Sequence, residues 1–305
     1  MISLKKRSLI SITDFNTEEY LHILSMAKDF EKTPIQNIAE GRVIATLFFE
    51  PSTRTRLSFE SAANKLGAKI IGFADVNNSS ATKGESLSDT IKTVANYADL
   101  IIMRHSLEGA SRWASEVADI PVINAGDGSN QHPTQCLLDL YSIKKTQKTL
   151  DNLHVAMVGD LKYGRTVHSL VEAMCNFNTT FHLVSPESLK LPSAVKILIK
   201  ERKLTYFQYT EMQEALDKAD IVYMTRVQRE RFVDIQDYER VKNAYLLDKS
   251  MLNNVKENMK ILHPLPRVNE INKDVDNTTH AYYFQQALNG VYVRQALIAS
   301  ILGLK

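Results

Sequence analysis

Ser52, Thr53, Arg54, Thr55 and Arg56 put three hydroxyl groups and two guanidinium groups into five consecutive residues. They follow Pro51 and an apolar, partly β-branched run at 43–49, long enough for a buried parallel strand. Leu57, Phe59, Ala62, Ala63 and Leu66 then keep roughly helical spacing as far as Gly67. The expected local structure is a strand, a proline break and a helix capped by Ser52 or Thr53. Backbone N–H groups, hydroxyl donors and guanidinium forks that converge at a helix mouth form a receptor for a phosphate group. An ordinary capped helix with solvated arginines uses the same residue types, so the stretch is weighed with the rest of the chain.

Other polar residues with chemical potential fall after apolar runs in the same way. Arg104 follows Leu-Ile-Ile-Met at 100–103, and His132 and Gln135 follow the run that begins at Val122. Arg165 follows 155–164, Arg226 and Gln228 follow 221–225, and Leu265 and Pro266 follow 260–264. Open α/β sheets bind ligands beyond the carboxyl ends of their strands, so placements from both halves of the chain argue for a shared cleft. Each has a bland alternative. His132 could be a buried structural histidine, Arg226, Arg229 and Arg231 a solvated charge run, and Lys83 a solvated lysine on a loop too polar to pack. Asn130 and Gln131 read as loop-shaping residues.

The elements that must hold these groups alternate between strand and helix. An amphipathic helix is expected over 14–30, capped by Asp14 or Thr17. Strands are expected at 43–49, 68–74, 99–103 and 121–128, and helices at 87–98, 108–118 and 134–145. The polar stretch 144–152 is the expected domain junction. The pattern then restarts with strands at 154–160, 180–186, 204–208, 220–225 and 259–267, and helices near 165–176 and 193–202. A last helix over 286–304 is long enough to return to the first domain. Alternation of this kind predicts an α/β protein of two doubly wound parallel-sheet domains, with the active site in the cleft between them. The expected domains are 1–148, joined by the helix 286–305, and 149–285.

At 305 residues the chain is long for one core, which agrees with two domains. A net charge of +2 gives no long-range case for nucleic acid or a membrane surface. Cys136 and Cys175 lack metal or disulfide spacing, and no apolar run approaches membrane-spanning or secretory-signal form. A cytoplasmic location is the expectation. The segment 159–166 nearly matches a P-loop, but Arg165 stands where that motif needs lysine, and Gly-x-Gly-x-x-Gly is absent. No nucleotide or nicotinamide cofactor is expected.

The motifs together resemble the aspartate and ornithine carbamoyltransferases across nearly the whole chain. They run in family order at 52–56, 79–86, 126–135, 159–170, 223–231, 263–267 and 283–290. The aspartate branch, and within it the catalytic chains that assemble with separate regulatory chains, is the closer likeness. Leu288 departs from it, since relatives are expected to carry a smaller residue there, but it lies outside the ligand motifs. The ornithine branch shares the first motif but typically carries Asp-x-x-x-Ser-Met-Gly and a cysteine where this chain has Pro264. Lys83, Arg165, Arg226 and Gln228 are cationic or neutral, which suits a dicarboxylate and repels a diamine.

The resemblance implies transfer of the carbamoyl group of carbamoyl phosphate to the α-amino group of L-aspartate, an early step of pyrimidine synthesis. The alternatives are ornithine as acceptor and a non-catalytic anion-binding relative. By the resemblance, Ser52, Thr53, Arg54 and Thr55 hold the phosphate. Thr55, Arg104 and His132 polarise the carbamoyl oxygen, and Gln135 with the carbonyls of Leu265 and Pro266 orients the carbamoyl NH2. Lys83, Arg165, Arg226 and Gln228 hold aspartate, with Ser79 and Lys83 supplied by the neighbouring chain of a homotrimer. Glu50 is expected to pair with Arg165 and Arg231 across the domains. No metal or organic cofactor is implied for this chain; any zinc would belong to a separate regulatory chain.

Overall fold

The computed structural model describes residues 2–75, 84–229, 232 and 234–305. The chain divides into two compact units, Met1–Tyr141 with Leu288–Lys305, and Ser142–Ala287.

The first unit is built on β1 (Val43–Phe48), β2 (Lys69–Phe73), β3 (Leu100–His105) and β4 (Val122–Asp127). All pair in parallel in the order β2-β1-β3-β4. β1, β3 and β4 are apolar on both faces, as strands covered by helices must be, and their inner residues are buried. β2 is a half-exposed edge strand. Its Gly72, at φ +145°, lies so close to β1 that a Cβ would come within 2.0 Å of the Thr46 carbonyl oxygen.

The helices of this unit are α1 (Thr17–Lys32), α2 (Thr53–Lys65), α3 (Leu87–Ala95), α4 (Ala110–Val117) and α5 (Pro133–Gln147). α1 begins later than predicted. Asn16 and Glu19 form its capping box, while Asp14 closes a preceding 3-10 turn with Ser11. Gly109, at φ +79°, precedes α4 and delays its start from the predicted Glu108. α5 runs on to Gln147, so the polar segment predicted as a junction begins as helix.

The second unit is built on β5 (His154–Val158), β6 (Thr180–Val184), β7 (Tyr206–Tyr209), β8 (Ile221–Met224) and β9 (Lys260–Leu262), again all parallel, in the order β7-β6-β5-β8-β9. β9 is much shorter than the predicted 259–267. The His263 N–H donates to Gln286 Oε1 and the Leu265 N–H to His263 Nδ1, so side chains take the groups that a longer ladder would need. α6 (Arg165–Met174), α7 (Ser193–Glu201), α8 (Gln213–Leu216) and α9 (Ile235–Val241) complete the unit. α9 has no counterpart in the sequence reading, because its short, mostly polar segment carries little periodic signal.

The final helix, α10 (Tyr283–Leu302), begins earlier than predicted, and the division between the units falls inside it and inside α5. From Leu288 onward it belongs to the first unit. Gln295 Nε2 donates to the Pro34 carbonyl at 2.8 Å, and Ser300 contacts the sulfur of Met26.

Candidate active site

In the first sheet the chain passes from β1 to β2 on one side and then to β3 on the other. The crevice beyond the carboxyl ends of β1 and β3 is therefore its topological switch point. Phe48 and Arg104 pair in register there, and the Phe49 N–H donates to the Arg104 carbonyl at 2.9 Å. β1 then runs through Pro51 into the mouth of α2. Ser52 is the N-cap residue, with extended backbone, yet its side chain makes no capping hydrogen bond, contrary to the sequence expectation. The helix start is thus laid out without a hydroxyl lid over its first-turn N–H groups. Thr55 is buried, Ser52 half-buried, and Thr53 and Arg54 exposed. Arg56 instead reaches along the helix to Glu60, at 3.5 Å.

Arg104 is oriented from two sides. Its Nη1 donates to the Ala125 carbonyl at 3.3 Å, and its Nη2 lies 2.9 Å from Glu50 Oε2. This contact is additional to the pairing of Glu50 with Arg165 and Arg231 expected from the resemblance. Glu50 and Arg104 leave neighbouring strands at the same level, which makes the pair local; Arg231 lies outside the described residues.

His132 is delivered by a loop organised around Asp127, which is fully buried. Its carboxylate accepts from the N–H groups of Gly109 and Gln131 and from the side-chain amides of Asn124 and Asn130. Gly128, at φ +51°, lets the loop pass Glu108, where a Cβ would approach the side chain within 2.5 Å. His132, itself buried, then accepts at its carbonyl from the N–H groups of Gln135 and Cys136, and Pro133 opens α5 in the position that spares its missing N–H. Gln135 Nε2 donates to the buried carboxylate of Asp139 at 2.8 Å. Thr134 Oγ1 is buried without a hydrogen-bond partner among the described residues.

The second sheet has its switch point between β5 and β8. Gly159, at φ +117°, brings the turn after β5 against Thr225, whose carbonyl oxygen would lie 2.2 Å from a Cβ there. Asp160 N–H donates to Thr225 Oγ1 at 3.1 Å. The Asp160 carboxylate accepts from the N–H groups of Lys162 and Tyr163. Burial pushes its pKa up, against these donors and the Gln228 N–H. One buried carboxylate thereby ties together the loops that carry Arg165 and Gln228. Gln228 Nε2 also points to the Tyr163 carbonyl, at 3.4 Å. Arg165 is buried in the first turn of α6.

Arg226 follows Thr225, and its positive charge helps lower the pKa of His263; burial is the larger cause, and Glu270 opposes both. His263 donates from Nε2 to Glu270 at 2.7 Å, which leaves Nδ1 to accept from Leu265. Leu265 sits at φ +55°, a left-handed conformation that a branched side chain takes only under constraint, and leads through a cis bond to Pro266.

The first unit thus holds Ser52, Thr53, Arg54, Thr55, Arg104, His132 and Gln135, and the second holds Arg165, Arg226, Gln228, Leu265 and Pro266. Ser79 and Lys83 lie outside the described residues. The sequence reading missed the struts Asp127, Asp160, His263 and Glu270. A Gly-Asp pair near the end of each of two predicted strands, at 126–127 and 159–160, was the available signal for the first two. Among the described residues, no three His, Cys, Asp or Glu side chains form a group able to hold a metal ion, and no helix is long and apolar enough to cross a membrane.

Residues 7–145 match the family described as aspartate/ornithine carbamoyltransferase, carbamoyl-P binding domain, and residues 151–301 its Asp/Orn binding domain. The chain belongs to the aspartate/ornithine carbamoyltransferase family. Within this family it is 60% identical over 302 residues to the aspartate carbamoyltransferase catalytic subunit of Bacteroides fragilis, covering 99% of this chain and 98% of that one. It matches the catalytic subunit of M. jannaschii aspartate transcarbamoylase at 45% identity and a TM-score of 0.91, over 97% and 98% of the two chains. Aspartate transcarbamoylase from Trypanosoma cruzi, in complex with carbamoyl phosphate and aspartate, matches at 35% identity and a TM-score of 0.94, over 98% of each chain. The two parallel-sheet units described above are the carbamoyltransferase fold of these neighbours.

Proposed function

We propose that the protein transfers the carbamoyl group of carbamoyl phosphate to the α-amino group of L-aspartate, forming N-carbamoyl-L-aspartate and phosphate. The observation that carries this reading is the pairing of two different receptors with two switch points. Hydroxyls, guanidinium groups and a helix mouth stand at the first, while arginines and an amide stand at the second. Ser52, Thr53, Arg54 and Thr55 bind the phosphate, and Thr55, Arg104 and His132 stabilise the oxyanion that forms on the carbamoyl carbon during attack. Gln135 and the carbonyls of Leu265 and Pro266 accept from the carbamoyl NH2. Arg165, Arg226 and Gln228 bind the aspartate carboxylates. The amine attacks in its neutral form and the departing phosphate takes its proton, so no side-chain nucleophile is needed. Orientation of two bound substrates supplies much of the rate.

In this reading Glu50 holds the Arg104 guanidinium in place within its unit. The chain acts in the cytoplasm, in pyrimidine synthesis, as a homotrimer in which Ser79 and Lys83 complete a neighbour's site, and a separate regulatory chain is a candidate partner. The name of the Bacteroides fragilis relative, a catalytic subunit, and the substrates held by the Trypanosoma cruzi enzyme support it. The test is incubation with carbamoyl phosphate and either L-aspartate or ornithine, with detection of the carbamoylated product. N-carbamoyl-L-aspartate with stoichiometric phosphate is expected. Carbamoylation of ornithine in place of aspartate would overturn the reading.

A further inference from the structure

The segment that offers the Leu265 and Pro266 carbonyls is tied down by two buried side chains that the scheme above does not use. Leu265, at φ +55°, holds a conformation that a residue with a side chain keeps only where its surroundings fix it. His263 is 2% and Glu270 8% exposed, and Nε2 of the one lies 2.7 Å from Oε1 of the other. His263 Nδ1 faces the Leu265 N–H at 2.7 Å, and Glu270 Oε2 faces the N–H groups of Val268 and Asn269, each at 3.0 Å. One side-chain pair thus holds the segment from both ends. Its middle is held as well: Arg267 donates from Nη2 to Asp276 Oδ2 at 2.6 Å and from Nη1 to the Tyr283 hydroxyl at 3.1 Å.

The donors decide the tautomer. A backbone N–H can only donate, so His263 Nδ1 carries no proton and Nε2 must carry it. Glu270 then receives three N–H groups and returns none, which is the state of a carboxylate. The pKa directions agree. Burial, then Arg267 and Arg226, lowers that of His263 against the pull of Glu270. Burial raises that of Glu270, but the hydrogen bonds from His263 and the backbone outweigh it and hold the carboxyl below its usual range. A His263 protonated on Nδ1 would set donor against donor at Leu265.

Fixing the N–H groups on either side of Leu265 and Pro266 fixes the direction of the two carbonyls between them. Such carbonyls reward a ligand that brings N–H groups and give nothing to one that brings a methyl group in the same place. A site built around a hydrogen-bonding partner rejects the analogue that lacks it, provided its own groups stay in place.

We infer that His263 and Glu270 are positioning residues that make the site choose a carbamoyl over an acetyl phosphate: Glu270 keeps the His263 proton on Nε2, and the bare Nδ1 holds the Leu265 N–H so that the carbonyls of Leu265 and Pro266 meet the NH2. The inference rests on the role proposed for those carbonyls. Its test measures kcat/KM for carbamoyl phosphate at saturating aspartate, and inhibition by acetyl phosphate, on purified full chains with folding checked by circular dichroism. Wild type is expected to bind acetyl phosphate more weakly. His263→Gln keeps an N–H within reach of Glu270 but removes the acceptor for Leu265. It is expected to lose roughly tenfold in kcat/KM, the scale of one hydrogen bond, with inhibition by acetyl phosphate unchanged. His263→Asn gives up Glu270 but keeps an oxygen able to accept from the N–H two residues on, and is expected to retain most of the preference. A purely structural role would weaken both phosphates together and follow the loss of thermal stability. If neither His263 variant folds, Glu270→Gln keeps the shape and sets an amide NH2 against either His263 or the two backbone N–H groups. It is expected to lose the preference severalfold, again with acetyl phosphate unchanged. Equal losses for both phosphates, or equal preference in His263→Gln and His263→Asn, overturn the inference. Failure of wild type to carbamoylate aspartate would instead overturn the function proposed above.

Discussion

His182 should make the second unit sensitive to acid. The side chain sits on β6, 1% exposed, between two ring partners on neighbouring strands. Its Nε2 is 3.0 Å from His154 Nδ1, and its Nδ1 is 3.0 Å from the Tyr209 hydroxyl. The Phe207 ring stacks on it, with centroids 5.6 Å apart and planes 19° apart. Burial, then the proximity of His154, Lys218 and Lys256, lowers its pKa to about 4, while Asp220 opposes. The unfolded chain takes up the proton near the ordinary histidine pKa of about 6.5, so below that pH it binds more protons than the folded one. Stability from this group is therefore fully present above about pH 6.5 and drains away as pH falls toward about 4. The whole window is worth about 3 kcal/mol, and roughly 2 kcal/mol of it is spent between about pH 8 and about pH 5. Urea unfolding followed by circular dichroism at those two pH values measures the difference. His182→Phe keeps the volume and the stacking and removes the titration. Tyr209 and His154 are only partly buried, so water can replace their lost partner. The variant should lose some stability at the higher pH and much less on acidification. If wild type and His182→Phe lose the same amount between the two pH values, the reasoning is refuted.

Three other outcomes follow from the two half-sites. Arg54→Ala should leave the fold intact, since the side chain is exposed, and abolish turnover by several kcal/mol in the transition state, at about the scale of a lost charge-assisted contact to the leaving phosphate; steady-state kinetics on the folded variant decides it. Arg226→Ala should chiefly raise the aspartate concentration needed for saturation, with carbamoyl phosphate binding by calorimetry almost unchanged. Inactive Lys83→Ala and His132→Ala proteins, mixed, dissociated and reassembled, should recover roughly a quarter of wild-type sites if each mutation acts locally, by two independent choices per interface. Mixtures as inactive as their parents would return Lys83 to a solvated surface position.

Much of this protein is written locally. The strand, proline break and helix from Val43 to Lys65 follow from a buried β-branched run and a helical apolar stripe, and both appear within a residue or two of where they were expected. Strand–helix alternation similarly specifies parallel sheets, because a parallel strand can be reached only by a crossover. The residues that follow each strand could be picked out because sequence order alone places them at carboxyl ends.

Strand order was a different matter. That β1 lies between β2 and β3, and β5 between β6 and β8, depends on which faces the helices cover. This order turns two strand ends per sheet into a crevice, and it sets Glu50 beside Arg104. Periodicity carries no information about such neighbours, which is why the contact of Glu50 with Arg104 was not foreseen. The same holds for Asp127, Asp160, Asp139 and Glu270. Each is a polar residue whose meaning lies in being buried, and burial is settled by packing between segments far apart in the chain. A sequence can announce the groups that would meet a ligand, because their types are unusual at a strand end. The groups that hold them still look like ordinary surface charges until tertiary structure removes the water around them.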